Sequence, residues 1–284
     1  MPSSPNRSTV STATSPFARP RWFDRAIRRM QLAEPVAQTG TATFGFRQMP
    51  AHEKPRAVMR HFDRVAPRYD LMNNLLSFGI QLVWKRVAVG EMGLRPGDQA
   101  LDLCGGTADL ALLAARKTGG SGRAVVCDLN RSMMAGGVAK VKRAGLSDRI
   151  AFVQGDAEQI PFLDGTFDAA MVGFGIRNLT HLEDGFREMH RVLKPGGIMM
   201  CLEFSKPVNP LFRWLYDFYS FTVMPFLGEV LVGNREGYRC LPETIRLFSL
   251  PEELSGALED VGFTAVRYRR LTNGIAAVHT AIRP

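Results

Sequence analysis

The chain has 284 residues, of which 45% are hydrophobic and 22% are charged, and its formal net charge is +9. This composition excludes a wholly disordered protein and suits one domain of about 200–250 residues with an appendage. The positive charge is unevenly placed, because residues 1–60 hold ten Lys or Arg and three acids, which puts +7 of the +9 in that stretch. Such a segment either binds nucleic acid or anionic lipid or is a solvated tail.

Residues 1–50 predict a basic, disordered extension ahead of a domain over residues 51–284. Residues 1–20 are rich in Ser, Thr and Pro and lack acids. This composition is typical of a transit peptide, and a bacterial N-terminal extension or a translation start assigned too far upstream would explain it equally well. We therefore expect a bacterial cytoplasmic protein, or a mitochondrial matrix protein if this stretch is a transit peptide. The sequence contains no uninterrupted apolar run of 18 residues, so we expect no membrane-spanning helix. None of the four cysteines forms a C-x-x-C pair, so the sequence predicts neither a zinc site nor a redox motif.

After residue 51 the pattern predicts helices first and then alternating strands and helices. Apolar side chains spaced by three or four residues predict helices within residues 52–92, interrupted at Pro67. The later alternation predicts an α/β protein with a mainly parallel, Rossmann-like sheet that helices cover on both faces. The predicted strands are Ala100–Cys104, Ala124–Cys127, Ile150–Val153, Phe167–Val172, Ile198–Glu203 and an antiparallel closing hairpin of Phe263–Arg269 and Ile275–Ala281. The predicted helices are Leu110–Arg116, Ser132–Ala144 with Ser132 as its cap, His181–Leu193 and Pro251–Val261.

The alternation stops between Asn209 and Arg246, where the sequence becomes unusually aromatic and apolar. A segment inserted after the carboxyl end of a strand lies over the ligand crevice, so one interpretation is a hydrophobic substrate lid. The other is an additional pair of packing helices with no ligand role. The domain accordingly divides into an N-terminal helical cap (51–95), a cofactor-binding core (96–206), a lid insertion (207–250) and a closing helix and hairpin (251–284).

The first strand leads into a turn that is typical of a nucleotide-type cofactor site. In "ALDLCGGTADL", Gly105 and Gly106 allow a sharp turn and a close approach of the backbone to a ligand. The third glycine of a dinucleotide-binding motif is missing, and Asp102 and Asp109 flank the turn, where they would repel a pyrophosphate. These carboxylates suit a ligand with positive charges, and S-adenosylmethionine carries a sulfonium and an ammonium group.

Acidic residues also follow the next two strands. Asp128 closes the second strand, about twenty residues after the glycines, where a carboxylate can accept hydrogen bonds from both ribose hydroxyls. Asp156 and Ala157 follow the third strand, where the Asp could meet an adenine amine. Acids at successive strand ends therefore predict an S-adenosylmethionine site. The alternatives are another nucleotide or a fold that has lost its ligand.

From about Phe62 to Ala281 the chain resembles the quinone C-methyltransferase family of the UbiE/COQ5/MenG type. The resemblance rests on the blocks "FDRVAPRYDLMNNLLSFGIQLVWKR", "LDLCGGTADL", "QGDAEQIPFLDGTFDAAMVGFGIRN", "HRVLKPGG" with "LEFSKP", and "LTNGIAAVH". It implies a class I S-adenosylmethionine methyltransferase with a seven-stranded sheet. The implied reaction is C-methylation of a polyprenylated quinol, either demethylmenaquinol or 2-methoxy-6-polyprenyl-1,4-benzoquinol, in respiratory quinone biosynthesis.

The chain departs from the family's usual motifs at three cofactor positions. "CGGTAD" has Cys104 and Ala108 where the usual block reads "AGGTGD", and both replacements are small enough for the turn to survive. Gly173, which we also assign to the cofactor site, stands where the family often has Ser. The cofactor contacts that the resemblance carries over are Thr107, Asp128, Asp156 and Ala157.

The implied reaction also needs residues that handle the quinol. A ring carbon becomes nucleophilic when a neighbouring hydroxyl loses its proton, so the site needs a proton acceptor or a cation that stabilises the phenolate. Arg177, in "GIRN", is the first candidate for orienting and stabilising the phenolate, unless it only holds a loop. Tyr69 could hydrogen-bond the quinol and Asp70 could accept the proton, unless they only pack and cap a helix. Candidates of third rank are Asn178, Tyr238 and His279.

Other functions stay open beside this interpretation. An enzyme of the same fold could act on another small aromatic molecule, or on RNA through the basic N-terminus, which predicts salt-dependent RNA binding that is lost without residues 1–50. A non-catalytic assembly subunit would predict a broken cofactor site. The preferred interpretation expects a prenylated quinol and no nucleic acid as partner. It also expects peripheral membrane contact through residues 207–233 or the N-terminus, and either a homodimer or a quinone-biosynthesis complex.

Overall fold

The computed structural model describes residues 40–284, so most of the basic N-terminal stretch lies outside the described residues. Its centre is a seven-stranded sheet in the order β5-β4-β3-β6-β7-β9-β8, and a separate antiparallel pair, β1-β2, precedes it. The strands are β1 (Thr41–Phe44), β2 (Arg47–Pro50), β3 (Gln99–Leu103), β4 (Arg123–Asp128), β5 (Ile150–Gln154), β6 (Phe167–Gly173), β7 (Leu193–Phe204), β8 (Thr264–Leu271) and β9 (Ala276–Ile282).

Some α-helices cover both faces of the sheet. The N-terminal helices and those of the insertion pack together beside the carboxyl ends of the strands, and we call this part the helical half. A π-helical segment, Tyr219–Val223, continues directly from the helix Pro210–Phe218 into the helix Met224–Val232. The helices are α1 (Lys54–Val65), α2 (Tyr69–Leu76), α3 (Ile80–Glu91), α4 (Asp109–Lys117), α5 (Arg131–Arg143), α6 (Leu182–Val192), α7 (Pro210–Phe218), α8 (Met224–Val232), α9 (Arg235–Leu247) and α10 (Pro251–Val261).

The sheet confirms the predicted fold class. β3 to β7 pair in parallel, and β9 joins β7 and β8 in antiparallel register. The central strands are nearly continuous apolar runs because helices bury both of their faces. The strand order reverses between β3 and β6, and ligands of open α/β sheets bind outside the carboxyl ends of the strands at that point.

One prediction about the N-terminal stretch is wrong, because residues 41–50 are not disordered. β1 and β2 form a hairpin around Gly45, whose φ of +59° favours glycine. The Thr244 hydroxyl accepts from the amide of Gly45 at 3.1 Å, and the Glu243 carboxylate accepts from the amide of Phe46 at 3.1 Å. The hairpin therefore depends on α9, about two hundred residues away, which local patterns do not reveal.

Two boundaries also differ from the predicted ones. The cap of α5 is Asn130, whose side chain accepts from the amide of Met133 at 2.8 Å, and not Ser132. The Ser132 hydroxyl instead donates to the Asp63 carboxylate of α1 at 2.8 Å. In addition, β7 begins at Leu193 and includes residues 194–197, which lie between the predicted helix His181–Leu193 and the predicted strand Ile198–Glu203.

The helical half combines two distant parts of the chain. α1 and α2 contribute Val65, Met72 and Leu76 to a small buried cluster, and the insertion contributes Met224 and Tyr238. Gly228 of α8 allows the close approach of α9, because a Cβ at this position would lie 2.3 Å from the Tyr238 ring. Across residues 40–284, no helix combines the length and apolar composition needed to cross a bilayer.

Candidate functional site

In the turn after β3, the backbone at Gly105 passes very close to Asp102 of that strand. A Cβ at Gly105 would lie 2.7 Å from the Asp102 carboxyl carbon and 2.9 Å from its backbone oxygen, so only glycine fits. Gly106 has a φ of +48°, and Ala108 has a φ of +66°, which costs a non-glycine residue energy. The strain at Ala108 lies at the position where the resembling family usually has glycine.

Asp128, at the end of β4, holds this turn in place. One carboxylate oxygen accepts from the amide of Gly106 at 2.9 Å, and the other accepts from the amide of Asn130 at 2.8 Å. Burial raises the pKa of Asp128, and these two amides oppose the rise. Each oxygen keeps acceptor capacity, which is the arrangement that two neighbouring ribose hydroxyls require.

The surroundings of Asp102 show whether a cationic cofactor would fit this site. Its side chain is 1% exposed, and one oxygen accepts from the amide of Ala111 at 2.9 Å. The other oxygen is buried without a partner among residues 40–284. Burial raises the pKa of Asp102 to about 7. A buried carboxylate oxygen without a partner is costly, and a positively charged ligand would relieve that cost, so S-adenosylmethionine fits this residue.

Asp109 is placed differently, because two lysines neutralise it. Lys85 and Lys140 each donate to one of its oxygens at 2.7 Å. Burial acts to raise the pKa of Asp109, but these two cations outweigh it, and the pKa is lowered. Asp109 therefore lines the site as a member of an ion-pair network and not as a free carboxylate.

The same network reaches the helical half. Lys140 pairs with the Asp70 carboxylate at 2.5 Å, and the Thr107 hydroxyl donates to that carboxylate at 2.7 Å. Asp70 lines neither the cavity that contains the predicted cofactor residues nor the apolar cavity that adjoins it, so it does not lie where the predicted proton acceptor is needed. Its contacts fix α2 against the cofactor turn.

One cavity of about 150 Å³ brings the predicted cofactor residues together. Helix α1 closes its far side with Met59 and Phe62, which the sequence patterns did not single out. Leu129 also lines it, and its position directly after Asp128 was a signal that could have found it. The predicted cofactor residues that line this cavity are Asp102, Gly105, Gly106, Thr107, Asp109, Asp128, Asp156, Ala157 and Gly173.

A second cavity, of about 480 Å³, adjoins the first and is mainly apolar and aromatic. Its walls come from α1 to α3, from the loop after β6 and from α7 to α9. Among its described lining residues, Arg177 alone carries a permanent charge. The residues that line both cavities, and so mark their junction, are Phe62, Tyr69, Phe174 and Asn178.

Arg177 lies in this second cavity and is held by a buried acid. Its guanidinium pairs with the Glu203 carboxylate at 2.6 Å and lies 5.3 Å from the centre of the Phe204 ring. Both side chains are buried, at 7% and 2% exposure. Burial raises the pKa of Glu203, and Arg177 acts against that rise. The Nε atom of Arg177 is buried and has no partner among the described residues.

The other quinol candidates separate into two groups. Tyr69, Asn178 and Tyr238 line the second cavity, as their predicted roles require. His279 does not, because it is buried between β7 and β8 and its Nε2 lies 3.0 Å from the backbone oxygen of Pro251. The second cavity also contains His61 on α1, which the sequence patterns did not single out.

Comparisons with known proteins agree with this geometry. The model of the ubiE/COQ5 methyltransferase family matches residues 48–283. The chain is 43% identical over 257 residues to "Ubiquinone/menaquinone biosynthesis C-methyltransferase UbiE" of Ectopseudomonas mendocina (strain ymp), covering 90% of this chain and 98% of the relative. It is 44% identical over 244 residues to the protein of the same name from Pseudomonas fluorescens (strain Pf0-1), covering 86% of this chain and 95% of the relative.

Two solved structures share the fold. One is a SAM-dependent methyltransferase from Aquifex aeolicus, with a TM-score of 0.53 and 18% identity, covering 70% of this chain and 89% of that one. The other is the [4+2]-cyclase SpnF, with a TM-score of 0.60 and 19% identity, covering 80% of this chain and 95% of that one. Since a cyclase shares the fold, the fold alone does not fix the chemistry.

Proposed function

Because the chain belongs to the ubiE/COQ5 methyltransferase family and is therefore an S-adenosylmethionine-dependent methyltransferase, we propose that it C-methylates the ring of a prenylated quinol. The substrate is demethylmenaquinol, 2-methoxy-6-polyprenyl-1,4-benzoquinol or both. The observation that carries the proposal is the second cavity, which adjoins the cofactor site and has aromatic walls and, among its described lining residues, a single permanent charge. An aromatic ring with an apolar tail suits such walls.

The cofactor residues have separate tasks in this proposal. When bound, S-adenosylmethionine supplies an electrophilic methyl group. Asp128 would hold the ribose hydroxyls, and the free oxygen of Asp102 would face a positive group of the cofactor. The glycine turn lets the backbone approach the cofactor closely. These residues bind and orient the donor, and orientation can supply about 7–11 kcal/mol of a barrier in ideal cases.

The residues of the second cavity act on the quinol. Arg177 would donate to the developing phenolate oxygen and stabilise its negative charge in mainly apolar surroundings. Glu203 holds the guanidinium in a fixed position, so no side-chain motion is needed when the charge develops. Tyr69, which lines both cavities, would hydrogen-bond the quinol beside the methyl donor.

A direct assay tests this function. The full chain is incubated with S-adenosylmethionine and each reduced quinol, and mass spectrometry identifies the methylated product. Deleting the gene should make a demethyl quinone accumulate in the cell. Absence of methylation of both quinols, together with an unchanged quinone profile after deletion, would remove the quinol as substrate.

The proposal includes contact with the membrane that holds such a quinol. Four side chains on one face of α7 are between 49% and 69% exposed: Leu211, Trp214, Leu215 and Phe218. Phe78, at 83% exposure, and Leu215 also line the second cavity, so the cavity opens among apolar side chains. Exposed apolar patches of this kind mark interaction surfaces, and a bilayer is the partner that also contains the prenyl chain.

Vesicle flotation tests this contact. The full chain should float with lipid vesicles, and the double variant Trp214→Glu/Phe218→Glu should not. The matched control is Leu163→Glu, which changes an even more exposed apolar side chain, in the loop before β6 near the amino ends of the strands. Unchanged flotation of the double variant would exclude this face. A concentration-dependent dimer that the double variant abolishes would assign the face to a second copy instead.

A further inference from the structure

C-methylation of a quinol ring releases one proton for each methyl group transferred. The hydroxyl must lose a proton for the ring carbon to attack, and the ring carbon must lose its hydrogen afterwards. A cation such as Arg177 stabilises the phenolate but cannot take up a proton, because its guanidinium is always protonated. The hydroxyl proton must therefore pass to another acceptor, either a neutral and basic side chain or water.

The described residues lining the second cavity include no Asp, Glu or Lys. Burial raises the pKa of Tyr238 to about 12 and also raises the pKa values of Tyr216, Tyr219 and Cys240, so these groups are protonated near neutral pH. Amide and hydroxyl side chains do not accept protons in this range either. Among the lining residues that the structure describes, the imidazole of His61 is the one remaining proton acceptor.

His61 stands in the cavity with its ring free for a ligand. The ring meets Phe44 edge-on at 5.8 Å and Phe62 at 5.2 Å between ring centres, and these contacts fix its orientation. Within residues 40–284 neither ring nitrogen has a hydrogen-bond partner, although both are polar groups in a mainly apolar wall. Phe62 also lines the cofactor cavity, so His61 lies beside the junction where methyl donor and quinol meet.

The surroundings keep this imidazole neutral before the quinol binds. Burial, followed by the positive charges of Arg177 and Arg64, lowers the pKa of His61 to about 4. The ring is therefore unprotonated at neutral pH, and it becomes a stronger base only when a negative charge develops beside it. A phenolate in the cavity would attract both the imidazolium and the guanidinium, which offsets the repulsion that Arg177 exerts on a charged His61.

We propose that His61 is a catalytic residue that accepts the quinol hydroxyl proton while Arg177 stabilises the phenolate. This inference rests on the proposed quinol substrate. The O–H bond breaks, its electron pair stays on oxygen, and His61 becomes an imidazolium. The ring carbon then bonds the methyl carbon, and the bond from that carbon to sulfur breaks with its electron pair passing to sulfur. The methylated ring next loses its ring hydrogen to solvent as a proton, and the phenolate recovers its hydroxyl proton from His61.

Single-turnover methylation of a short-chain quinol between pH 6 and pH 9 tests the role. At neutral pH, His61→Phe should slow the step by a factor on the order of 10²–10³, with S-adenosylmethionine affinity unchanged. The wild-type rate should be nearly level, because His61 is unprotonated throughout. The rate of the variant should rise about tenfold per pH unit, since the quinol must ionise unaided toward a phenol-like pKa of about 10. His61→Asn, a smaller polar replacement, should behave in the same way if the phenylalanine disturbs folding.

The control is Asn73→Leu, which removes a polar group of the same cavity that cannot accept a proton. Any loss in this variant should be equal at every pH. A loss in His61→Phe that does not change with pH would assign His61 a packing role and overturn the inference, as would an unchanged rate. If the wild-type protein methylates no quinol, the proposed function has failed instead, and the two failures are thereby distinguished.

Discussion

The two cavities are built in different ways although they share a wall. The cofactor cavity takes most of its predicted polar groups from a short stretch of chain, residues 102–157, in which Asp102, Asp128 and Asp156 lie at strand ends and each accepts from a backbone amide. The second cavity, which is the proposed substrate cavity, is assembled from three stretches, residues 44–84, 174–204 and 212–275. Among the described residues, its only permanent charge belongs to a buried ion pair. One site is therefore set by local backbone geometry, and the other by long-range packing.

This difference separates two kinds of failure. A change at the strand ends should weaken donor binding and leave the quinol's environment intact. A change in the helical half should lower turnover and stability while the donor still binds. Each variant below tests that separation, and a variant that affected both sites equally would contradict it.

The largest effect is expected for Arg177→Ala, because it leaves the buried Glu203 carboxylate without its partner. Breaking a buried ion pair in this way costs about 3–5 kcal/mol of unfolding free energy. Turnover, measured by kinetics, should fall far more than S-adenosylmethionine affinity, measured by calorimetry. Urea unfolding measures the loss of stability. Adding Glu203→Gln should restore much of the stability but not the turnover. Equal losses of turnover and donor affinity would point to a structural role for Arg177.

Gly228→Ala should have the next largest effect, since its Cβ would lie 2.3 Å from the Tyr238 ring and force that ring toward the substrate cavity. Overpacking of this kind costs about 1–3 kcal/mol. We expect slower quinol methylation with unchanged donor affinity. Gly256→Ala in α10 is the matched control, because its Cβ meets nothing within 4 Å, and it should stabilise the protein by up to about 1 kcal/mol. Normal turnover in Gly228→Ala would show that the helical half tolerates the shift.

Asp128→Ala tests the cofactor cavity. It removes the carboxylate that holds Gly106 and Asn130 and that would accept the ribose hydroxyls. S-adenosylmethionine affinity should fall at least tenfold, about 1.4 kcal/mol, in isothermal titration calorimetry. Asp128→Asn, which keeps one acceptor oxygen, should lose less. Wild-type affinity in the alanine variant would remove the ribose assignment.

The smallest expected effect is a pH dependence of donor binding. Burial raises the pKa of Asp102 to about 7, so the carboxyl is partly protonated and neutral at pH 7 and mostly ionised at pH 8. A cationic donor binds the ionised form, and its dissociation constant should therefore rise about twofold from pH 8 to pH 7. Titration calorimetry at both pH values measures this. Asp102→Asn should abolish the dependence, and a wild-type affinity that improved as the pH fell would contradict the role of Asp102.

The same contrast explains what could be predicted from sequence. Strand ends, glycine turns and acids are neighbours in the chain, so local patterns found the sheet and placed the cofactor residues in one cavity. The closing helix Pro251–Val261 also has its predicted bounds, because Pro251 and Gly262 mark both ends.

Features that depend on contacts between distant segments were not predictable in this way. The hairpin before α1 depends on side chains of α9, and local patterns left it as disordered chain. Asp70 follows Tyr69 directly, yet Tyr69 faces the cavities while Asp70 pairs with Lys140. His61 has no motif around it and enters the substrate cavity only because α1 packs there.

The alternating ion pairs Asp70–Lys140–Asp109–Lys85 have a kinetic consequence. They tie α2 to the cofactor turn, and the neighbouring α1 forms the outer wall of the cofactor cavity. Salt screens partly exposed pairs of this kind, so higher ionic strength should loosen that wall. The spent donor would then escape faster, and the enzyme's turnover would become sensitive to the salinity of its compartment.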